Sequence, residues 1–348
     1  LTIRSMELDN QHPTGFAKQE TPFLYMAEHI KKAGVKMAIA ASAGFFDPDV
    51  CEKAIAEGKA DLLSMARAYV SNPNYGRLLQ EGRADEIIPC LRCNKCHSPN
   101  HNLTVCVVNP RFGSEKLIDK LAVPADKRKN IAIIGGGPAG MKCAITAAER
   151  GHQVTIYEKN DHLGGMIDHS RYASFKWPML ALLKYFERKC AESSNITVHL
   201  DCDPDPEALE AMGYDVVVAA VGSQPIVPPI PGIETAVPAT RAFGHEEFVA
   251  ENVVIIGGGE IGVETGLHLA QQGKKVTIIE MKDVAAEEAK RVHYYNMFMD
   301  AVEEYRDGLT MILKATCTGI SENGVTYKDS DGKEHTVHAG TVLLAAGM

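Results

Sequence analysis

Four cysteines near the end of the first hundred residues have the types and spacing for redox chemistry. Cys90, Cys93, Cys96 and Cys106 follow the pattern C-x2-C-x2-C-x9-C, so one tight loop and a returning segment can bring four thiolates to one centre. Structural zinc is the alternative, but it prefers two separated Cys-x-x-Cys or Cys/His pairs. Three closely stepped cysteines with a distant fourth are commoner around iron–sulfur clusters, so the spacing predicts a 4Fe-4S cluster and one-electron transfer.

A glycine-rich loop with the spacing G-x-G-x-x-G comes next. An apolar strand over 131–134 runs into it, an alanine-rich helix leaves it, and a second strand over 154–157 ends at Glu158. Such glycines let the backbone approach a pyrophosphate at a helix N-terminus, and the acid accepts hydrogen bonds from ribose hydroxyls. The residues predicted to form this dinucleotide site are Gly135, Gly137, Pro138, Ala139, Gly140, Glu158 and Gly165. Lys176 either faces the same phosphates or is a solvated surface lysine.

The same plan repeats at an offset of 122 residues, with Gly257, Gly259, Gly262 and a final acid at Glu280. This tandem resembles the flavoprotein disulfide reductase superfamily, in which the first site holds FAD and the second a nicotinamide dinucleotide. The Cys-x4-Cys redox pair of those reductases is absent after the first loop, so disulfide reduction is not expected. Glu280 favours NADH because a carboxylate repels the 2′-phosphate of NADPH, while Lys282 leaves NADPH open.

Upstream of the cysteines, residues 1–86 are typical of strands and helices in alternation. Such βα units in series imply parallel strands, either in an open α/β sheet or at the end of a (β/α)8 TIM barrel. In a barrel the loops after the last two strands bind phosphate through backbone N–H groups. Gly44 and the pair Ala66-Arg67 occupy those positions, and Arg67 can add a charge-assisted contact.

A lone histidine, His12, lies in the loop after the opening strand. Substrate-facing loops follow the strands of a barrel, so His12 is the candidate proton donor or substrate anchor. A structural loop histidine is an equally good interpretation.

Several segments outside the glycine loops carry a family likeness. They are Ala43-Gly-Phe-Phe-Asp-Pro, Ala60-Asp-Leu-Leu-Ser-Met-Ala-Arg, Glu81-Gly-Arg-Ala-Asp-Glu-Ile, the cysteine loop and Asn109-Pro-Arg. Together they resemble the old yellow enzyme branch that includes 2,4-dienoyl-CoA reductase, 2-enoate reductase and trimethylamine dehydrogenase. The resemblance implies an FMN barrel, a 4Fe-4S cluster and an FAD/NAD half in one polypeptide. The expected domains are the C-terminal part of the barrel (1–86), the cluster segment and linker (87–128), the first part of the FAD domain (129–247) and the NAD domain (248–348).

With these cofactors, we expect electrons to pass from NADH to FAD, to the cluster and then to FMN. The resemblance implies that FMN reduces an activated C=C bond of a 2-enoate or an enoyl- or dienoyl-CoA. Amine oxidation of the trimethylamine dehydrogenase type is disfavoured because it gives the second loop no clear role. The competing class is an NADH-oxidising electron-transfer module that feeds a separate acceptor protein.

The cysteine spacing departs from the family pattern at one point. Relatives such as dienoyl-CoA reductase have three residues between the second and third cysteines, so Cys96 is the least secure ligand. His97 and His101 are the alternatives, although loop histidines near a cluster are usually solvated.

Composition narrows the partners. The formal net charge is −9 without a basic stripe, which argues against nucleic acid. No apolar run reaches the roughly 18 residues that a membrane helix needs, and the first residues do not follow the plan of a signal peptide. We therefore expect a cytoplasmic protein that acts on a small molecule, with a homo-oligomer left open. Both ends of the sequence look cut, so a larger parent is expected.

Overall fold

The computed structural model describes residues 16, 21–97, 105–121, 123–292 and 294–347. Three parallel sheets follow one another along this part of the chain, and an antiparallel three-stranded sheet is inserted into the third unit. No helix within these ranges is long and apolar enough to cross a lipid bilayer.

The first unit is a small α/β segment built on two parallel strands, β1 and β2. Its elements are α1 (Leu24–Lys32), β1 (Ala40–Ser42), α2 (Pro48–Ala56), β2 (Leu62–Ser64), α3 (Arg67–Ser71) and α4 (Tyr75–Gln80). Asp47 caps α2, because its carboxylate accepts the backbone N–H of Asp49 at 2.8 Å. The strand β1 begins at Ala40, and the N–H of Ile39 just before it donates to the Asp61 side chain at 2.8 Å.

The barrel prediction concerns this first unit. Parallel pairing of β1 with β2 agrees with βα units in series, but two parallel strands are common to open sheets and to barrels. The predicted opening strand and His12 lie outside the described residues. The part of the chain that the structure describes is therefore mixed α/β with parallel sheets, and the TIM barrel stays a prediction.

The segment over 87–128, predicted to hold the cluster and a linker, contains a helix, α5 (Glu115–Leu121). None of its residues is buried. Glu, Lys and Leu have high intrinsic helix propensity, and the N–H of Ile118 bonds to the carbonyl of Ser114 to close the first turn. Propensity alone, without an apolar face packed on the core, explains why the periodicity did not reveal this helix.

The second unit carries the first glycine loop on a four-stranded parallel sheet of order β5-β4-β3-β6. Its elements are β3 (Asn130–Ile134), α6 (Pro138–Glu149), β4 (Gln153–Tyr157), α7 (Trp177–Glu192), β5 (Ile196–His199), α8 (Pro206–Ala211) and β6 (Val216–Ala219). A short 3-10 turn over Ser174–Lys176 leads directly into α7.

The third unit carries the second loop on a five-stranded parallel sheet of order β10-β9-β8-β14-β7. Its elements are β7 (Val237–Pro238), β8 (Asn252–Ile256), α9 (Glu260–Gln271), β9 (Lys275–Ile279), α10 (Tyr295–Glu303), β10 (Leu309–Ile312) and β14 (Thr341–Leu344). The antiparallel sheet inserted before β14 contains β11 (Thr316–Ser321), β12 (Gly324–Lys328) and β13 (Glu334–Val337). Both large sheets have the glycine loop at the carboxyl end of a central strand, where ligands of open α/β sheets bind.

Candidate functional site

The first glycine loop joins β3 to α6 and is closed by contacts that only glycine allows. Gly135 has φ +108°, a conformation that favours glycine, and a methyl group there would overlap the carbonyl oxygen of Ala220 on the neighbouring chain segment. At Gly140 a methyl group would overlap the carbonyl oxygen of Gly135. The helix that starts at Pro138 therefore points its unpaired N–H groups across a loop without side chains, a geometry suited to a pyrophosphate.

Glu158 ends β4 and turns back onto this loop. It is buried, at 4% exposure. One carboxylate oxygen accepts the N–H of Gly136 at 2.7 Å, and the other accepts the N–H and the side-chain amide of Asn160 at 2.9 and 2.8 Å. Each carboxylate oxygen has two lone pairs, so the oriented group can still accept a ribose hydroxyl.

The second glycine loop repeats this geometry between β8 and α9. Gly257 has φ +105°, and one oxygen of Glu280 accepts the N–H of Gly258 at 2.6 Å. The other oxygen accepts the N–H of Lys282 at 2.7 Å. The Lys282 ammonium lies 2.9 Å from Glu287 and 3.9 Å from Glu288, so it is engaged by carboxylates of the chain itself.

A cluster of charged side chains joins the two nucleotide units. Lys176, just before α7, makes an ion pair at 2.6 Å with Glu264 on α9, and the two side chains are only 10% and 14% exposed. Tyr294 donates a hydrogen bond to Glu260, which lies on α9 with Glu264. Burial raises the pKa of Glu260, and the nearby carboxylate of Glu264 adds to this. Lys176, predicted either to face phosphate or to be solvated, is thus paired at the contact between the two units.

The cysteine loop wraps through two residues with left-handed backbone, Arg92 (φ +55°) and Asn94 (φ +54°), and ends in a 3-10 turn over Lys95–His97. The N–H of Arg92 donates to the Cys90 sulfur at 3.4 Å. Burial raises the pKa of the Cys90 thiol to about 11, and burial also raises that of Cys93. Bound cations that replace these protons would therefore be needed to hold the sulfurs as thiolates at neutral pH.

The four predicted ligands lie within electrostatic range of one another, because Cys106 and Cys93 both influence the titration of Cys90 and of Cys96. Over the described ranges, no group of three or more His, Cys, Asp or Glu side chains is gathered closely enough to ligate one metal ion. A four-iron cluster takes one thiolate per iron and so needs wider spacing than a single ion. Four cysteine thiols, none of them in a disulfide, are the donor chemistry that such a cluster takes. His97 belongs to the 3-10 turn, and His101 lies outside the described residues.

Two buried arginines connect this loop to its surroundings, Arg67 of the first unit and Arg92 of the loop itself. Arg67, at the start of α3, hydrogen-bonds through its guanidinium to the side-chain oxygen of Asn94. Arg92 stacks between the rings of Phe46 and Trp177. Gly44, with φ +87°, precedes Phe46 by two residues, and the Ala66 carbonyl accepts the N–H groups of residues 69 and 70 in the first turn of α3.

Five further residues of the site are not predicted from the sequence: Phe46, Arg92, Asn94, Trp177 and Glu264. Arg92 and Asn94 stand between predicted ligands, which is a local signal that they shape the loop. Asn also tolerates left-handed backbone better than most residues. Phe46, Trp177 and Glu264 reach the site only through packing between units, for which a single sequence carries no signal.

Two dinucleotide folds in tandem, each with an acid at the end of its second strand, define a class of nucleotide-dependent redox proteins. The chain belongs to the pyridine nucleotide-disulphide oxidoreductase family, whose family model matches residues 129–348.

Similar proteins extend beyond that half of the chain. The chain is 34% identical to an NADH oxidase of Thermoanaerobacter brockii over 93% of its own length and 50% of the relative. It is 32% identical to a cinnamate reductase of Clostridium sporogenes over 97% of its length and 50% of the relative. A solved structure of 2-naphthoyl-CoA reductase with 2-naphthoyl-CoA superposes with a TM-score of 0.89 at 31% identity, covering 96% of this chain and 51% of that one.

These likenesses confirm the resemblance to the flavoenzyme family of the old yellow enzyme type that the sequence predicted. The chain spans about half the length of the curated relatives that it matches.

Proposed function

We propose that this chain carries the NADH-oxidising and electron-transferring part of a flavin and iron–sulfur oxidoreductase that reduces an activated C=C bond. Electrons would pass from NADH to FAD, the 4Fe-4S cluster and FMN. The observation that carries the proposal is the contact of the cysteine loop with both of its neighbours: Arg67 of the βα segment hydrogen-bonds to Asn94, and Arg92 stacks on Trp177 of the first nucleotide unit. Flavins supply hydride transfer and the cluster supplies single-electron transfer.

The names of the relatives support the proposed substrate class. A cinnamate reductase and a bilirubin reductase are among the similar curated proteins, and the 2-naphthoyl-CoA reductase structure contains its CoA thioester. In an unsaturated acid or thioester the carbonyl polarises a conjugated double bond. An unsaturated acid or acyl-CoA is therefore the proposed substrate.

Each nucleotide loop has its own role in this proposal. The loop of Gly135 to Gly140, with Glu158 and Gly165, would hold FAD through its backbone N–H groups and the ribose acid. The loop of Gly257 to Gly262, with Glu280, would hold NADH. The Lys176–Glu264 ion pair would keep the two units in register.

Fewer described residues support the FMN end of the proposed electron-transfer path. Gly44 and the Ala66-Arg67 pair lie after β1 and β2, where a barrel would bind the FMN phosphate. His12 is the proposed proton donor or substrate anchor and lies outside the described residues.

The test is a cofactor and turnover analysis of the intact protein purified without oxygen. We expect about four irons and four sulfides per chain with FAD and FMN, since a 4Fe-4S cluster requires that stoichiometry. NADH oxidation should then be coupled to a panel of cinnamate-type acids and enoyl-CoA thioesters. One zinc per chain without sulfide, or NADH oxidation that no unsaturated acid or thioester accelerates, would contradict the proposal.

A second candidate is an NADH-oxidising module that delivers electrons to a separate acceptor. It is favoured by the relatives named NADH oxidase and metal reductase. In that case, NADH oxidation should respond to added electron acceptors and not to the enoate panel.

A further inference from the structure

The structure places a continuous stack of cations and rings beside the cysteine loop. The guanidinium carbon of Arg67 lies 5.0 Å from the centre of the Phe46 ring, and that of Arg92 lies 4.5 Å from the same ring and 4.3 Å from the Trp177 ring. These distances are within the range of cation–π contacts. The stack therefore connects the first unit, the cysteine loop and the start of α7.

Arg67 is turned toward the cysteines. Its side chain is buried, at 8% exposure, and its guanidinium hydrogen-bonds to Asn94, which stands between Cys93 and Cys96. Burial lowers the pKa of Arg67, whereas the thiols of three predicted ligands act on it in the opposite direction: Cys90, Cys96 and Cys93. A guanidinium held at this place adds positive potential where the sulfurs lie.

We propose that the positive charge of Arg67 sets the reduction potential of the iron–sulfur cluster. Asn94 and Phe46 hold the guanidinium in place. The inference rests on the proposed function, because it requires that the four cysteines hold a cluster. Reduction adds one negative charge to the cluster, and a nearby cation in a low-dielectric setting stabilises the reduced form. Arg67 would therefore raise the potential, so that the cluster can accept electrons from the nucleotide units.

This role differs from the phosphate contact that the sequence predicted for Arg67. A guanidinium hydrogen-bonded to Asn94 directs at least one of its N–H groups at the cysteine loop. The backbone at Ala66-Arg67 can still face a phosphate, since such contacts use N–H groups. Measuring flavin content and cluster potential in the same variant separates the two roles.

The experiment is an EPR-monitored redox titration of the intact, anaerobically purified protein. In Arg67→Gln, the ratio of oxidised to reduced cluster at the wild-type midpoint should rise about tenfold, which is 59 mV for a one-electron couple. Arg67→Lys keeps the charge and should stay close to the wild-type potential. Arg77→Gln is the matched control, because it removes the same charge from a side chain that is 63% exposed.

Asn94→Gly covers the case in which Arg67→Gln does not retain its cluster. Asn94 has φ +54°, which glycine adopts without strain, so the substitution releases the guanidinium while the loop can keep its backbone. We expect a smaller shift in the same direction. An unchanged midpoint in Arg67→Gln with full iron and sulfide, or in Asn94→Gly when the first variant is empty, would overturn the assignment.

Loss of FMN from Arg67→Gln with an unchanged cluster potential would also overturn the proposal, in favour of the phosphate contact. A wild-type protein without iron and sulfide would instead refute the proposed function itself. Cluster content in the wild type therefore distinguishes the two failures.

Discussion

The two nucleotide loops share one frame, meaning the glycine loop together with the acid that folds back onto it. The few differences between the two frames indicate which nucleotide each site would select. In both, the acid lies 22 residues after the second of three consecutive glycines and accepts the N–H of that glycine. The distances are 2.7 Å from Gly136 to Glu158 and 2.6 Å from Gly258 to Glu280. In both, a later N–H returns to the carbonyl of that middle glycine, from Gly164 at 3.0 Å and from Ala286 at 2.7 Å. The frame is therefore duplicated in contacts as well as in spacing.

The frames differ directly after this returning N–H. In the first unit the next residue is Gly165, which has φ +54° and lies so close to Gly137 that an added Cβ would be 2.9 Å from its Cα. In the second unit the next residues are Glu287 and Glu288, which engage Lys282. The first site is thus opened for the close approach of a phosphate, whereas the second has charge near the place of the ribose acid.

The largest expected effect comes from a change that leaves both nucleotide frames intact. Cys93→Ala removes a predicted ligand from the tightest part of the cysteine loop, so the protein should lose cluster iron and enoate turnover. NADH should still bleach FAD, because both glycine loops are unchanged, while FMN stays oxidised. Stopped-flow spectra of a variant that retains both flavins measure this. Full-speed reduction of both flavins, despite proven iron loss, would show that the relay is unnecessary.

Matched glycine substitutions should break the two frames separately. A methyl group at Gly140 would overlap the carbonyl of Gly135, and one at Gly262 would overlap the carbonyl of Gly257. Gly140→Ala should lose FAD, whereas Gly262→Ala should retain FAD and bind NADH at least about tenfold more weakly, a cost of 1.4 kcal/mol or more.

Flavin content and NADH titration give the two readouts for these glycine variants. Gly319→Ala is the control, because Gly319 lies in β11, outside both loops, and the nearest atom to an added Cβ there is the Pro231 carbonyl oxygen at 4.0 Å. Equal loss of FAD from the Gly140 and Gly262 variants would show that the loops do not hold different nucleotides.

The ion pair between the frames should matter for stability. Lys176 and Glu264 are 10% and 14% exposed, so removing one charge leaves the other poorly solvated. We expect Lys176→Met to lower the stability of the nucleotide half by about 2 kcal/mol, seen as a lower midpoint of thermal unfolding. The double variant with Glu264→Met should recover at least half of the loss. If the double variant is less stable than either single one, the pair is not the source of the effect.

Much of the duplicated frame could be predicted from the sequence, because its determinants are local. Gly135 and Glu158 follow apolar strands, and the same order returns at Gly257 and Glu280, so strand periodicity and glycine spacing suffice. The surface helix at 115–121 was missed because none of its residues is buried.

The contacts that join the frames could not be predicted in this way. Lys176 meets Glu264, and Arg67 meets Asn94, only because separate units pack together. No spacing rule connects residues so far apart in the chain. For Arg67 the sequence did indicate a functional position, but the partner that the structure shows is an amide in the cysteine loop.

Replacing Glu158 and Glu280, the predicted ribose acids, should sharpen the assignment of the frames. Glu280→Ala should raise the Michaelis constant for NADH about tenfold and narrow the NADH preference, because the ribose loses an acceptor and the 2′-phosphate loses a repulsive neighbour. Glu158→Ala is the matched variant and should weaken FAD retention without altering cofactor preference. Steady-state kinetics with NADH and NADPH decide this, and an unchanged preference in Glu280→Ala would refute the assignment.

The smallest expected effect comes from Glu287 and Glu288, which distinguish the second frame from the first. Their hydrogen bond and charge raise the pKa of Lys282, and they hold its ammonium near the acid that would meet the ribose. Changing both to Gln removes two negative charges and frees Lys282 to meet a 2′-phosphate. Since all three side chains are about half exposed, we expect only a roughly threefold fall in the Michaelis constant for NADPH. The value for NADH should be nearly unchanged, and added salt should reduce the difference because exposed charges are screened.

Glu303→Gln, which removes an exposed carboxylate paired with Arg306, is the control. An equal gain in that control would mean that net charge, and not release of Lys282, governs the preference.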